Sequence, residues 1–265
     1  MAQFDIIAAA AASYKTCWQN RPYLAKLALA PFLIKTCCLV FAASFAGEGD
    51  TTAFLFYMLP ALFAEGWMLA HFTRFIVLGQ TWPFRPTGDR DADMGVLRIR
   101  ARGVLSGMAA YVLINMTLGL LTVLAQHYFG PYISKDALES GAEIPAPVAV
   151  VSLFMLGAMF WGFRLLWLYI PIALNSSPGY CLFRLRGIGT SLHMIGVWVI
   201  CILPFLLGMQ ILAAVVAVPV GALLGKAAGY FAVTIMAAAV DTVKSLVITG
   251  GIVFGMREVY SREEA

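Results

Sequence analysis

The sequence predicts an all-α membrane protein: a bundle of about six transmembrane helices preceded by an N-terminal amphipathic helix. Of its 265 residues, 61% are hydrophobic and 12% are charged, whereas soluble domains carry about 25% charged residues. Six apolar stretches each exceed the roughly 20 residues that a helix needs to cross about 30 Å of hydrocarbon. The predicted spans are approximately Tyr23–Phe45, Ala53–Gly79, Val104–His127, Val148–Ile170, Leu192–Val218 and Ala227–Gly255.

The first element, residues 1–22, carries a helical hydrophobic pattern of its own. Large or apolar side chains recur at spacings of three and four, which places them on one helical face. This segment either lies in the inner membrane interface, with aromatic rings at headgroup depth, or packs on the bundle or on a partner subunit. It lacks the features of a cleaved signal peptide. The face consists of Phe4, Ile7, Ala11, Tyr14 and Trp18.

The loops between the spans differ in the sign of their charge. Gly47–Thr52 and Tyr128–Pro147 are net negative, whereas Gln80–Gly103 contains five arginines and Asn175–Ser191 contains further basic residues. Basic loops face the cytoplasm. The pattern therefore predicts a six-helix domain over 23–256, a short cytoplasmic tail over 257–265, and both termini inside.

Composition and motifs argue against several functions. No zinc-protease, serine-hydrolase or nucleotide-binding motif is present, so we expect a non-enzymatic protein. The five cysteines form no CxxC pair, and neither a metal site nor a cofactor is expected. The formal net charge of +4 comes from arginines scattered over short loops, which is not a nucleic-acid-binding pattern.

Ionisable residues inside the spans are the candidate functional residues. Each costs about 2.5–3.5 kcal/mol at mid-depth if it faces lipid, so we expect these side chains to point inward and find partners. Arg164 is predicted to pair with Glu65 or Asp241, and Asp241 is spaced to meet Lys244 at i,i+3. The candidates are the cations Lys35, Arg74, Arg164 and Lys244, with Glu65 and Asp241 as charge partners.

Three roles for these groups are open. Four cations against two carboxylates predict a cationic cavity for an anionic lipid headgroup or another anion. A structural role is the main alternative, in which buried pairs set helix register and Lys35 and Arg74 extend toward the interface. A proton path through Glu65 and Asp241 is the third.

Small residues predict close packing between helices. Gly103 and Gly107, and likewise Gly251 and Gly255, are four residues apart. This spacing lets two membrane helices approach closely. Such faces suit contacts within the bundle or with another membrane protein.

Three segments carry a family resemblance: SYKTCWQNRPYLAKLALAP, AHFTRFIVLGQTWPFRP and RLLWLYIPIALNSSPGY. They resemble uncharacterised six-helix inner-membrane proteins of proteobacteria. These are distantly similar to YciC-like proteins and to the membrane domain attached to some glycerophosphodiester phosphodiesterases. The resemblance rests mainly on Arg74, Arg164 and Pro171, and it implies a bacterial plasma-membrane location without an established reaction.

We therefore expect a non-enzymatic subunit, scaffold or assembly factor of a membrane complex. Its expected partners are the lipid bilayer, including anionic lipids, and other membrane-protein subunits or a second copy of the chain. The alternative is a transporter or lipid-handling protein that binds an anion in the cationic cavity. A membrane enzyme acting on lipid is a third hypothesis without a matching nucleophile and base.

Overall fold

The structure is a computed structural model that describes residues 5–45, 51–133, 146–185 and 187–261. Every regular element in these ranges is helical, and short 3-10 and π turns join some of the α-helices. The α-helices are α1 Ile6–Gln19, α2 Arg21–Phe45, α3 Thr51–Leu78, α4 Arg90–Ile133, α5 Ala146–Gly162, α6 Tyr169–Ala173, α7 Pro178–Arg184, α8 Ile188–Leu212, α9 Val218–Leu224 and α10 Lys226–Ser261.

The predicted all-α class and six spans are confirmed. Six helical stretches in the described ranges are long and apolar enough to cross a membrane. Four are single helices, while the fourth span joins α5 to α6 and the fifth joins α8 to α9. They are Arg21–Phe45, Thr51–Leu78, Arg90–Phe129, Val148–Ala173, Ile188–Leu224 and Ala227–Arg257.

The third span differs most from its predicted bounds, because α4 begins at Arg90 within the arginine-rich segment predicted as a loop. The Asp89 carboxylate accepts hydrogen bonds from the backbone N–H groups of Asp91 and Ala92, at 3.1 and 3.3 Å. This side chain caps the helix and satisfies donors of its first turn. The basic stretch is therefore the first part of a long helix.

Helix α1 packs on the bundle, through a face different from the predicted one. Its buried face contains Ala9, Ala10 and Ser13, whose small side chains allow close contact. The Ser13 hydroxyl donates to the Val247 carbonyl at 2.6 Å. The Tyr14 hydroxyl donates to the backbone carbonyl of Cys201 in α8 at 2.9 Å. The second interpretation of this segment, packing on the bundle, thus describes its buried face.

The predicted hydrophobic face of α1 points mostly away from the bundle. Ile7 and Trp18 are each 70% exposed, and the Arg21 guanidinium lies 4.7 Å from the Trp18 ring centroid. Tyr14 is the member of this face that turns inward. Phe4 lies outside the described residues.

Two prolines account for the breaks in the fourth and fifth spans. A proline ring clashes with the carbonyl four residues earlier in an α-helix. For Pro171 that residue is Trp167, where a 3-10 turn, Phe163–Trp167, ends. For Pro219 it is Val215, in the middle of a π turn, Ala213–Ala217.

Glycines of α4 allow the close approach that their spacing predicts. A Cβ added at Gly103 would lie 2.6 Å from the Ala173 carbonyl oxygen, and one added at Gly107 would lie 2.6 Å from the Ala173 Cβ. Real Cβ atoms do not come this close to other heavy atoms. The two glycines therefore let α4 pack directly on the backbone of α6.

Candidate functional site

Four charged side chains from three spans meet inside the bundle and form a charge cluster. The Lys35 ammonium of α2 donates to the Glu65 carboxylate of α3 at 2.7 Å and also pairs with Asp241 of α10. Lys244 pairs with the other Asp241 oxygen. Lys35 and Glu65 are only 6% and 5% exposed, so Lys35 joins two carboxylates, of which Glu65 is removed from solvent.

Polar side chains complete the surroundings of this charge cluster. The Ser245 hydroxyl donates to the Glu65 oxygen that Lys35 leaves free. Nearby, Tyr169 and Thr249 share a hydroxyl hydrogen bond of 2.8 Å, and the Tyr111 ring meets the Tyr169 ring edge to face at 5.2 Å. Tyr111 also shares a side-chain hydrogen bond with Glu65, so the cluster belongs to a polar layer built from α2, α3, α4, α6 and α10.

One predicted pairing in this region is confirmed and another is wrong. Asp241 and Lys244 pair at i,i+3 as predicted. Arg164 pairs with neither Glu65 nor Asp241: its Nη1 donates to the Leu185 carbonyl at 2.7 Å, and its guanidinium lies 4.4 Å from the centroid of the Trp161 ring. The 3-10 turn that holds Arg164 directs it toward the segment before α8.

The Lys35–Glu65 pair is one that sequence reasoning missed. Lys35 lies ten residues before the end of α2, and Glu65 lies fourteen residues after the start of α3. At 1.5 Å per residue, those positions differ in depth by about 6 Å, which a lysine side chain can span. This similarity in depth, obtained by counting each residue from the loop that joins the two spans, is the sequence signal that could have predicted the pair.

Arg74 is also separate from the charge cluster. Its Nη1 donates to the Ala173 carbonyl at 2.7 Å, and its Nε donates to the Gln80 side-chain oxygen at 2.9 Å. It is 2% exposed and lies four residues before the C-terminal end of its span, between α4 and α6. Of the four predicted ligand-binding cations, the structure brings together Lys35 and Lys244 and holds Arg74 and Arg164 elsewhere.

A cavity of about 270 Å³ lies beside the charge cluster. Lys35, Asp241 and Lys244 form its polar end, and the rest of its lining is apolar, with Met58 and Phe205 among the contributing side chains. The Asp241 side chain is 37% exposed and that of Lys244 is 28% exposed. With Glu65 behind Lys35, two lysines face two carboxylates, so the formal charge of the cluster is zero.

Helix α5 forms a second candidate surface. Residues 149–161 are exposed at every position, and 13 residues cover more than three helical turns, so every side of the helix is open. Its attachment lies at the C-terminal end, where the Trp161 carbonyl accepts a 3.4 Å hydrogen bond from Ser191. The other described spans contain positions buried in the bundle, so α5 differs from them in how little it packs.

Comparison with protein-family models, with curated proteins and with solved structures finds no match. The resemblance to the six-helix inner-membrane proteins therefore stays a prediction.

Proposed function

We propose that this chain is a non-enzymatic subunit, scaffold or assembly factor of a membrane complex, and that α5 docks on a transmembrane helix of another protein. The observation that carries the proposal is the exposure of residues 149–161 on every side of that helix. Association of helices in lipid depends on side-chain packing and interhelical hydrogen bonds. A partner helix would supply the packing that the rest of this chain does not give to α5.

The use of the intramembrane cations supports the same proposal. Lys35 and Lys244 are neutralised by Glu65 and Asp241, while Arg164 binds a backbone carbonyl and stacks on an indole ring. These contacts hold helices together, as a structural role requires. The charge distribution among the loops supports a multi-pass location with both termini in the cytoplasm, and the resemblance supports a bacterial inner membrane as the location.

Photo-crosslinking in the native membrane tests the docking of α5. We would place a benzoyl-phenylalanine at Phe154, which is 75% exposed, and in a matched variant at Phe56 of α3, which is 73% exposed. Both positions hold an aromatic residue of nearly equal exposure, but α3 packs into the bundle along its other faces. We expect a discrete protein adduct from position 154 and lipid adducts from position 56.

The adduct identifies the partner by mass spectrometry. A product of twice the mass of this chain would replace the heterologous partner by a second copy and change the proposed function to self-assembly. Lipid adducts alone at both positions, in membranes where the chain is at its natural level, would overturn docking through α5.

A second candidate function is transport or lipid handling, favoured by the cavity beside the charge cluster. Partly exposed Asp241 and Lys244 at the end of an apolar cavity suit an amphipathic molecule with a charged group. Lys244→Gln should then release a co-purified ligand, as seen by native mass spectrometry, while Lys26→Gln on an exposed face of α2 should keep it. Equal ligand content in the wild type and both variants would remove this candidate.

A further inference from the structure

Two buried arginines lie without a carboxylate at the end of the bundle where α3 leads into α4. Arg74 is 2% exposed and Arg100 of α4 is 6% exposed, and the two guanidinium groups bind neighbouring residues of the chain, Gln80 and Thr81. No Asp or Glu of the described residues forms an ion pair with either of them. The site therefore holds two positive charges, in contrast to the neutral charge cluster around Lys35.

Every acceptor that the described part of the chain offers these two arginines is neutral. Arg100 Nη2 donates to the Thr81 carbonyl at 2.6 Å and lies 3.4 Å from Nδ1 of His71. Arg74 binds the Ala173 carbonyl and the Gln80 amide oxygen. Carbonyl and amide oxygens orient the guanidinium groups, but they carry no formal charge to compensate two buried cations.

Both arginines also keep unused donors. A guanidinium group has five N–H bonds, and within the described residues Arg74 Nη2, Arg100 Nε and Arg100 Nη1 have no acceptor. None of these atoms is among the side-chain nitrogens that are fully enclosed without a partner, so each keeps some exposed surface. The unused donors and the missing countercharge belong to the same two side chains.

We propose that Arg74 and Arg100 form a binding site for a phosphate group, carried either by a phospholipid headgroup or by a free phosphate anion. Arginine matches phosphate oxygens with paired N–H donors in a planar fork. A phosphate with one or two negative charges supplies the countercharge that the protein lacks here.

The aromatic residues around the site fit the depth of lipid headgroups. The Trp82 ring meets the Trp67 ring at 5.2 Å and the His71 ring at 6.5 Å, and Trp82 is 40% exposed. Its backbone N–H donates to the Tyr23 hydroxyl at 3.1 Å. Tryptophan and tyrosine concentrate at membrane interfaces, where phospholipid phosphates lie.

Native mass spectrometry of the full chain in a neutral detergent tests the proposal. The probes are phosphatidylglycerol, diacylglycerol as the same lipid body without phosphate, and inorganic phosphate as a competitor. The variants are Arg100→Gln and, as the matched control, Arg102→Gln, an exposed arginine two residues further along α4. Both variants lose one positive charge from the same part of the helix.

We expect phosphatidylglycerol to bind at least tenfold more tightly than diacylglycerol, Arg100→Gln to weaken that binding tenfold or more, and Arg102→Gln to change it less than twofold. Displacement by inorganic phosphate would assign the site to a free anion as well, and persistence of the lipid would assign it to the headgroup; both support the phosphate site. Equal loss in the two variants, or no preference over diacylglycerol, would overturn it.

Should Arg100→Gln fail to fold, Arg100→Lys gives the deciding measurement, because it keeps the charge and removes the planar fork. We expect its binding of phosphatidylglycerol to weaken about threefold to tenfold, again with no change in the Arg102→Lys control. Wild-type affinity in Arg100→Lys together with wild-type affinity in Arg74→Lys would contradict paired recognition by the two forks. The outcome is independent of whether α5 docks on a partner.

Discussion

Replacing Lys35 by methionine should destabilise the folded bundle by about 3–5 kcal/mol, the usual cost of removing one partner of a buried ion pair. The wild-type charge cluster contains two lysines and two carboxylates. Without Lys35, Asp241 keeps Lys244, but Glu65, 5% exposed, keeps neutral hydroxyl donors, Ser245 and Tyr111, and no cation. The loss therefore leaves one uncompensated negative charge inside the bundle.

The measurement is reversible unfolding in mixed detergent and SDS, followed by far-ultraviolet circular dichroism. Lys26→Met is the control, because Lys26 lies on the same helix with an exposed side chain; we expect it to stay within about 0.5 kcal/mol of the wild type. The double variant Lys35→Met, Glu65→Gln removes both charges and should cost about 2 kcal/mol less than the sum of the single variants.

Two results would refute this account of the cluster. A cost for Lys35→Met as small as that for Lys26→Met would mean that the ammonium group contributes no net stability at this depth. Strict additivity in the Lys35 and Glu65 cycle would mean that the 2.7 Å contact carries no coupling energy. Either would also weaken the structural role given to the intramembrane charges.

Three further outcomes follow from the packing. Gly103→Ala should destabilise the fold by about 1–3 kcal/mol because the new Cβ meets the backbone of α6. The control Gly95→Ala, where a new Cβ has no atom within 4 Å, should be neutral or stabilise by up to about 1 kcal/mol in the same unfolding assay. Equal costs for the two variants would contradict the close contact between α4 and α6. Ser13→Ala should cost about 0.5–1.5 kcal/mol by removing the bond to the Val247 carbonyl, and an unchanged midpoint would argue against that bond. Burial raises the pKa of the Cys17 thiol to about 11, and the thiolate is the form that reacts with maleimide. A variant that keeps Cys17 as its single cysteine should therefore react with maleimide at pH 8 more slowly when folded than in SDS. Equal rates would show that the packing of α1 does not protect this thiol.

The sequence predicted the membrane class and the positions of the spans because hydrocarbon thickness sets a minimum length for each helix. The start of the third span was placed too late, since the arginines between Arg90 and Gly103 look like loop residues. They lie in a helix whose first turn Asp89 caps. The α1 packing face was also missed, because Ala9, Ala10 and Ser13 have little hydrophobicity and contribute through close contact instead.

The candidate site was only partly predictable for a related reason. Asp241 and Lys244 lie on one helix, so their spacing alone predicts the contact. The partner of Lys35 depends on how α2, α3 and α10 are rotated about their axes, which hydrophobicity does not determine. Arg164 was placed at mid-depth on a continuous helix, but the 3-10 turn before Pro171 interrupts that helix and redirects the guanidinium toward Leu185.

The two groups of buried charges differ in whether the chain itself supplies a countercharge. Around Lys35 the chain supplies its own countercharges, so that site is complete without a ligand and its perturbation should appear first as lost stability. At Arg74 and Arg100 the chain supplies orientation through neutral oxygens but no negative charge. Because a buried cation needs a countercharge, perturbation there should appear first as lost binding. Comparing Lys35→Met with Arg100→Gln in both assays separates the two roles, and a stability loss without a binding loss in Arg100→Gln would make Arg100 architectural as well.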